Sequence, residues 1–283
     1  MSTPIPTWQR STFQPGGGLN AFQLFCFSTG PLKADVPMSA ARFGLPSAEV
    51  MKLVEVRELP RELDSAWFDG FRSGSLRAIA VQALGDVSAL DSATQLTAVL
   101  ISRPDAADLS HLQAGWAVTQ WLIARGVTVV LDAQTNRFWK GDEVAAWPAV
   151  RPFALSTDVN IVVEAEPTSP TATIHTRGLQ KVGRADLVVR DVPGAQWDAV
   201  AGLVRALALQ LADGVVLRAG DRVNADNVSD LPSMFTRSPA RSTTPSANCS
   251  ASARTSPATA SHCAPGTSRT TSSARPTFCS PRV

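Results

Sequence analysis

The chain has 283 residues, 44% of them hydrophobic, which suffices for one large domain or two small ones. No run approaches 18 consecutive apolar residues, so nothing in it spans a membrane as a helix. The 26 basic and 24 acidic side chains are unevenly placed: residues 1–236 carry 20 against 24, a net near −4, while residues 237–283 carry six Arg and no acid.

That last stretch has no Lys, Leu, Ile, Met or Trp. It has too little apolar surface to offset the entropy of ordering it, and disorder is expected. Two origins fit its composition. One is a native basic low-complexity tail. The other is a translated shift of reading frame near residues 235–238, in which case the native C-terminus is missing. Cys249, Cys263 and Cys279 all lie there, at spacings of 14 and 16 that match no zinc or haem pattern. Cys26 is the only cysteine before residue 237. It offers no disulfide framework and suits a reducing compartment. No basic n-region leads directly into an apolar core, so no signal peptide is expected and the cytoplasm is.

In chain order, residues 1–20 read as a flexible lead, with Pro15 and Gly16 to Gly18. The body is expected over 21–236, with possible halves 21–150 and 151–236. Residues 21–27 form a short apolar run and a first strand. Residues 47–59 fit a strand ending at Pro60 or a helix from Ser47. Residues 61–74, with Trp67, Phe68 and Phe71, suit a short helix or a packed turn. Residues 76–84 and 94–101 read as strands. A helix starts after Pro104, with Asp105 or Asp108 as cap. It runs to about Ala124, and Arg125-Gly126 stops it. Residues 127–131 follow as a buried strand, so strand, helix and strand make a βαβ-like unit.

Further strands are expected at 159–164, 172–176 and 187–192. The clearest helix follows: Trp197, Val200, Ala201, Val204, Leu207, Ala208 and Leu211 recur at steps of three and four. Residues 215–217 read as a short strand. Together these predict an α+β fold, a mixed but mostly antiparallel sheet with helices packed beside it, in two similar halves. A body of this size buries about 70–75% of its unfolded surface and needs no metal or disulfide staple.

The densest chemistry lies between two strand-like runs, at residues 173–187. His175 stands at a strand end and titrates near neutrality, so it could serve as an acid, a base or a ligand contact. A half-exposed strand histidine is the plainer reading. Arg177, Lys181 and Arg184 flank Gly178 and Gly183, a combination able to hold a phosphate or carboxylate. No phosphate-binding G-x-x-x-x-G-K-[ST] loop accompanies them. The plainer reading is a turn in which Arg177 or Arg184 pairs with Asp186 or Glu164. Thr176 and Asp186 complete the candidate ligand set. Asp132, at the end of a buried strand, is a possible site residue or a cap on the turn at Thr135-Asn136. His111 is expected on the surface, and Trp116, Trp121 and Trp197 in the core. Nothing in the body matches H-E-x-x-H or G-x-S-x-G, and neither metal nor cofactor is expected.

The run HTRGLQKVGRADLVV from His175, with the earlier VLDAQTNRFW from Val130, resembles a family of uncharacterised bacterial proteins. In these a strand leads into Thr-Arg-Gly-(Leu/Met), then a Gly-Arg-x-Asp/Glu turn, a strand and a helix. The similarity spans about residues 95–224. It implies a fold and a bacterial origin, and carries no activity with it.

The sequence therefore predicts a cytoplasmic, non-catalytic protein that binds another protein. The alternative is an enzyme or sensor for a small anionic ligand at His175, Arg177 and Arg184. Nucleic-acid binding through the tail is disfavoured by the negative body.

Overall fold

Strand β1, Asn20–Ser28, is buried at seven of its nine positions because both its faces are covered. Phe22, Leu24 and Cys26 face one apolar cluster, and Phe25 and Phe27 face another. In this computed structural model, which describes residues 5–166, 168–219 and 221, β1 is the middle of a five-stranded sheet. β2 is Val54–Pro60, β3 Gln95–Arg103, β4 Val129–Asp132 and β5 Arg137–Lys140, in the order β2-β3-β1-β4-β5. Every pair is antiparallel. Since β3 and β4 both run opposite to β1, they are parallel to each other, and β1 sits between them. The expected βαβ-like unit is thus a split one.

Its crossover is the helix Ser110–Ala124, which covers the Phe22 face with Leu112, Trp116 and Leu122. Gly115 allows that closeness: a Cβ there would lie 2.1 Å from the Phe22 ring. Asp108, one residue before the N-cap Leu109, satisfies the first helical N–H, its Oδ1 accepting from Ser110 N at 2.9 Å. The opposite face is covered by helices Ser65–Gly70 and Gly74–Leu84, through Phe68, Ala80 and Leu84.

The helix Gly74–Leu84 corrects the strand expected at 76–84. Leu76, Ile79, Ala80 and Leu84 pack on one cluster at steps of three and four, a helical period within a run that is apolar apart from Arg77 and Gln82. Residues 47–59 contain both alternatives in turn, a short helix Ala48–Met51 and then β2. Residues 215–217 form no strand.

The second sheet has the order β6-β7-β8, with β6 Asn160–Glu164, β7 Thr171–Arg177 and β8 Val188–Pro193, all antiparallel. One face, centred on Ile174, packs on Val200, Ala201 and Val204 of the helix Trp197–Asp213. Further along the same helix, Ala208, Leu211 and Ala212 join the cluster around Trp116. The protein is therefore α+β, its halves alike in kind and unequal in size.

The lead is a second correction, over its described residues 5–20. Trp8 and Arg10 are buried. Leu109 N donates to Trp8 O at 2.8 Å, Arg10 N to Ala107 O at 3.0 Å, and Thr12 N to Asp213 O at 3.3 Å. The Pro- and Gly-rich composition hid an extended segment held by backbone hydrogen bonds. Residues 237–283, expected to be disordered, lie outside the described residues. No described helix is long and apolar enough to cross a membrane.

Candidate functional site

β7 ends at Arg177, and the chain then makes a tight 3-10 turn, Leu179–Val182, between two glycines in the left-handed region. Gly178 has φ 108° and Gly183 φ 67°. Both are also pressed against other segments. A Cβ on Gly178 would come within 2.5 Å of the Asp158 carbonyl oxygen, and one on Gly183 within 2.4 Å of Asn20 Oδ1. The turn is driven into the body, and its cations go with it.

Lys181 is fully buried. Its ammonium pairs with Asp132 Oδ2 and lies 3.7 Å from Asp158 Oδ1, and both carboxylates are themselves fully buried. Its Nζ stands 5.6 Å from the centre of the Phe22 ring. Asp132 Oδ1 accepts from the backbone N–H groups of Gln134 at 3.1 Å and Thr135 at 3.3 Å. One carboxylate thus both caps the turn and pairs with Lys181. Asp158 Oδ1 accepts from Trp116 Nε1 at 2.9 Å, while its Oδ2 is buried with no partner. Burial pushes the Asp158 carboxyl above its ordinary value, against the opposing pull of Lys181, Trp116 and Arg151.

His111 is a correction: it is buried rather than on the surface. Its Nε2 donates to the Lys181 carbonyl at 2.7 Å, which fixes the neutral tautomer with the proton on Nε2. Burial lowers its pKa to about 4.

Arg184 is buried at a different point. Its Nη1 pairs with Asp105 Oδ2 at 2.7 Å, and Arg10 Nη1 holds Asp105 Oδ1 at 2.6 Å. Arg10 gives its other four guanidinium hydrogens to backbone carbonyls, and Arg184 gives three of its own. Arg184 donates to Val215 O at 2.9 Å and Gly214 O at 2.8 Å. Arg10 donates to Leu211 O at 3.0 Å and Ala212 O at 2.9 Å. Arg10 thus caps the last carbonyls of the helix Trp197–Asp213 and Arg184 those of the two residues just beyond it, where the helix dipole favours positive charge. Asp186 closes the neck of the loop, accepting from Thr176 Oγ1 at 2.9 Å and Leu179 N at 3.1 Å.

His175 and Arg177 lie elsewhere, on the sheet face turned away from the helix. The register places Val162 opposite His175 and His175 opposite Val188. His175 Nε2 is 3.1 Å and Arg177 Nη2 3.6 Å from Glu164 Oε1. The hydrogen bond from His175, with the nearby Arg177 charge, holds the Glu164 carboxyl below its ordinary value. Of the six candidate residues, Thr176, Lys181, Arg184 and Asp186 therefore point into the body, while His175 and Arg177 lie on the other face of the sheet, the His175 side chain only 13% exposed. A hollow of about 300 Å³ adjoins the loop, lined among others by Gly17, Arg184, Asp186 and Leu217. His175 and Arg177 do not line it.

Sequence reading missed Asp158, Arg10 and the pairing role of Asp105. Asp158 sits in an unremarked polar stretch with no spacing signal. Asp105 looked like a helix cap because Pro104 precedes it. No group of His, Cys, Asp and Glu among the described residues is placed to hold a metal ion. No family model, curated protein or solved structure matches the chain, so what the site does has to be taken from its geometry.

Proposed function

We propose that this is a non-catalytic cytoplasmic protein that binds another protein across the outer face of the three-stranded sheet. The carrying observation is the cross-strand row of Val162, His175 and Val188, flanked by the Glu164–Arg177 pair. Val188 is 54% exposed. A valine flanked by a histidine, an arginine and a carboxylate supplies an apolar contact with charged groups at its rim, as protein interfaces do. The small-anion alternative has less support, since four of the five guanidinium hydrogens of Arg184 go to internal acceptors and Lys181 is shut in by two carboxylates.

The test is capture of partners by the full chain and by its Val188→Arg and Arg177→Glu variants. A specific partner held by the wild type and weakened at least about tenfold by both substitutions supports the proposal. A partner retained equally by both variants contradicts it, as does saturable binding of inorganic phosphate that depends on Arg184.

A further inference from the structure

The Lys181–Asp132–Asp158 cluster has more order than an ion pair needs. Three fully buried ionisable groups meet, two acids to one base. Ion pairs in such surroundings are costly, and transferring the proton from ammonium to carboxylate leaves a neutral amine against a neutral carboxylic acid. Those are the two partners of an amide condensation, already in contact.

We propose that Lys181 and Asp132 join through a side-chain amide, an isopeptide cross-link that the protein forms in itself, with Asp158 moving the protons. Four observations converge on it. The Lys181 nitrogen meets the Asp132 carboxyl at Oδ2. The other oxygen, Oδ1, faces two backbone N–H groups, those of Gln134 and Thr135, which are placed to stabilise negative charge developing there. Asp158 stands 3.7 Å from the same nitrogen, oriented by Trp116, with its second oxygen unpartnered. The side chains of all three residues are sealed from solvent. Reacting groups held this way reach effective concentrations far beyond any in solution, and the product is shielded from hydrolysis.

The step balances. The neutral Lys181 amine attacks Asp132 Cγ, and the carbonyl electrons move to Oδ1. Asp158 gives its proton to the Oδ2 hydroxyl, which leaves as water as the C–O bond breaks. The Asp158 carboxylate then takes a proton from the new C–N nitrogen and returns to its starting form. One amine and one carboxylic acid become one amide and one water, with no oxidant or cofactor. The link ties the loop after β7 to the end of β4, 49 residues away in sequence. It is a single self-modification, compatible with a protein that turns over no external substrate.

The test is mass spectrometry of the unfolded full chain, followed by a tryptic map. The cross-linked protein is one water lighter than its sequence. Trypsin releases residues 126–137 joined to residues 178–184, uncut after Lys181. The Lys181→Met and Asp158→Asn chains keep their full mass. A wild-type chain at full mass overturns the proposal. So does a water lost within one linear peptide, as in a cyclic imide at Asp132. A joined peptide that persists in Asp158→Asn overturns the role given to Asp158.

Discussion

Lys181 and Arg177 stand four residues apart in sequence, one within a glycine-bracketed turn and the other just before it, and they end in opposite surroundings. Lys181 is sealed among two carboxylates, an indole N–H and the Phe22 ring. Arg177 lies on an open sheet face against Glu164, whose side chain is 57% exposed. The comparison separates what a charge does in a protein from what kind of charge it is. Inside, desolvation dominates, so each pairing is obligatory and its loss leaves an uncompensated charge. Outside, water competes for both partners, and the pair is nearly neutral for stability. A cluster of cations in one segment is thus no measure of a binding site until its burial is known.

The largest effect expected follows from breaking the inner pairing. Lys181→Met leaves Asp132 and Asp158 buried without their nitrogen partner, removes the proposed cross-link with it, and should lower the unfolding free energy by about 3–5 kcal/mol or more, read from urea denaturation. A change below about 1 kcal/mol would mean that the cluster is hydrated and open.

A pH effect of intermediate size comes from His111. Its folded pKa is depressed to about 4 from an ordinary value near 6.5. The unfolded chain takes up a proton between those values that the folded chain refuses. The contribution is fully present above pH 6.5 and is lost as pH falls towards 4, about 3 kcal/mol in all. Arg103, Arg10 and Asp108 are the charged groups acting on it. Asp158, whose pKa is raised, works the opposite way: its contribution is present at low pH and lost as pH rises through its folded value. The difference between wild type and His111→Gln isolates the histidine, since glutamine can still donate to the Lys181 carbonyl. The acid-side slope of the unfolding free energy should flatten in the variant. Parallel curves for the two proteins would contradict the burial of His111.

The smallest effect belongs to the outer face. Glu164→Gln should change stability by less than about 1 kcal/mol, while releasing His175 and Arg177 from their shared carboxylate. A loss of several kcal/mol there would show that this face is covered rather than open.

Much of this was legible from residue order alone. Apolar runs marked β1 and β3, periodicity marked the helices Ser110–Ala124 and Trp197–Asp213, and strand–turn–strand spacing marked the loop after β7. What failed did so for tertiary reasons. The run at 76–84 is apolar enough to fit either period, and only packing against Phe68 and Phe71 selects the helix. His111 occupies the first turn of its helix, a position usually wet, and is buried because the Lys181 turn lies over it. Asp132 was visible as a turn cap, but its partner lies 49 residues on. Asp158 carries no local mark at all. Arg10 was lost in a segment whose composition suggests freedom, while its hydrogens are directed at carbonyls about two hundred residues away in sequence.

The most direct test compares urea denaturation of Arg184→Ala and Arg177→Ala, two arginines seven residues apart on one loop. Removing Arg184 strips Asp105 of one cation and leaves the carbonyls of Gly214 and Val215 without these donors. The expected loss is about 3 kcal/mol or more. Removing Arg177 should cost less than about 1 kcal/mol. Equal losses, or a larger one for Arg177, would contradict the division of this loop into a buried inner side and an open outer one.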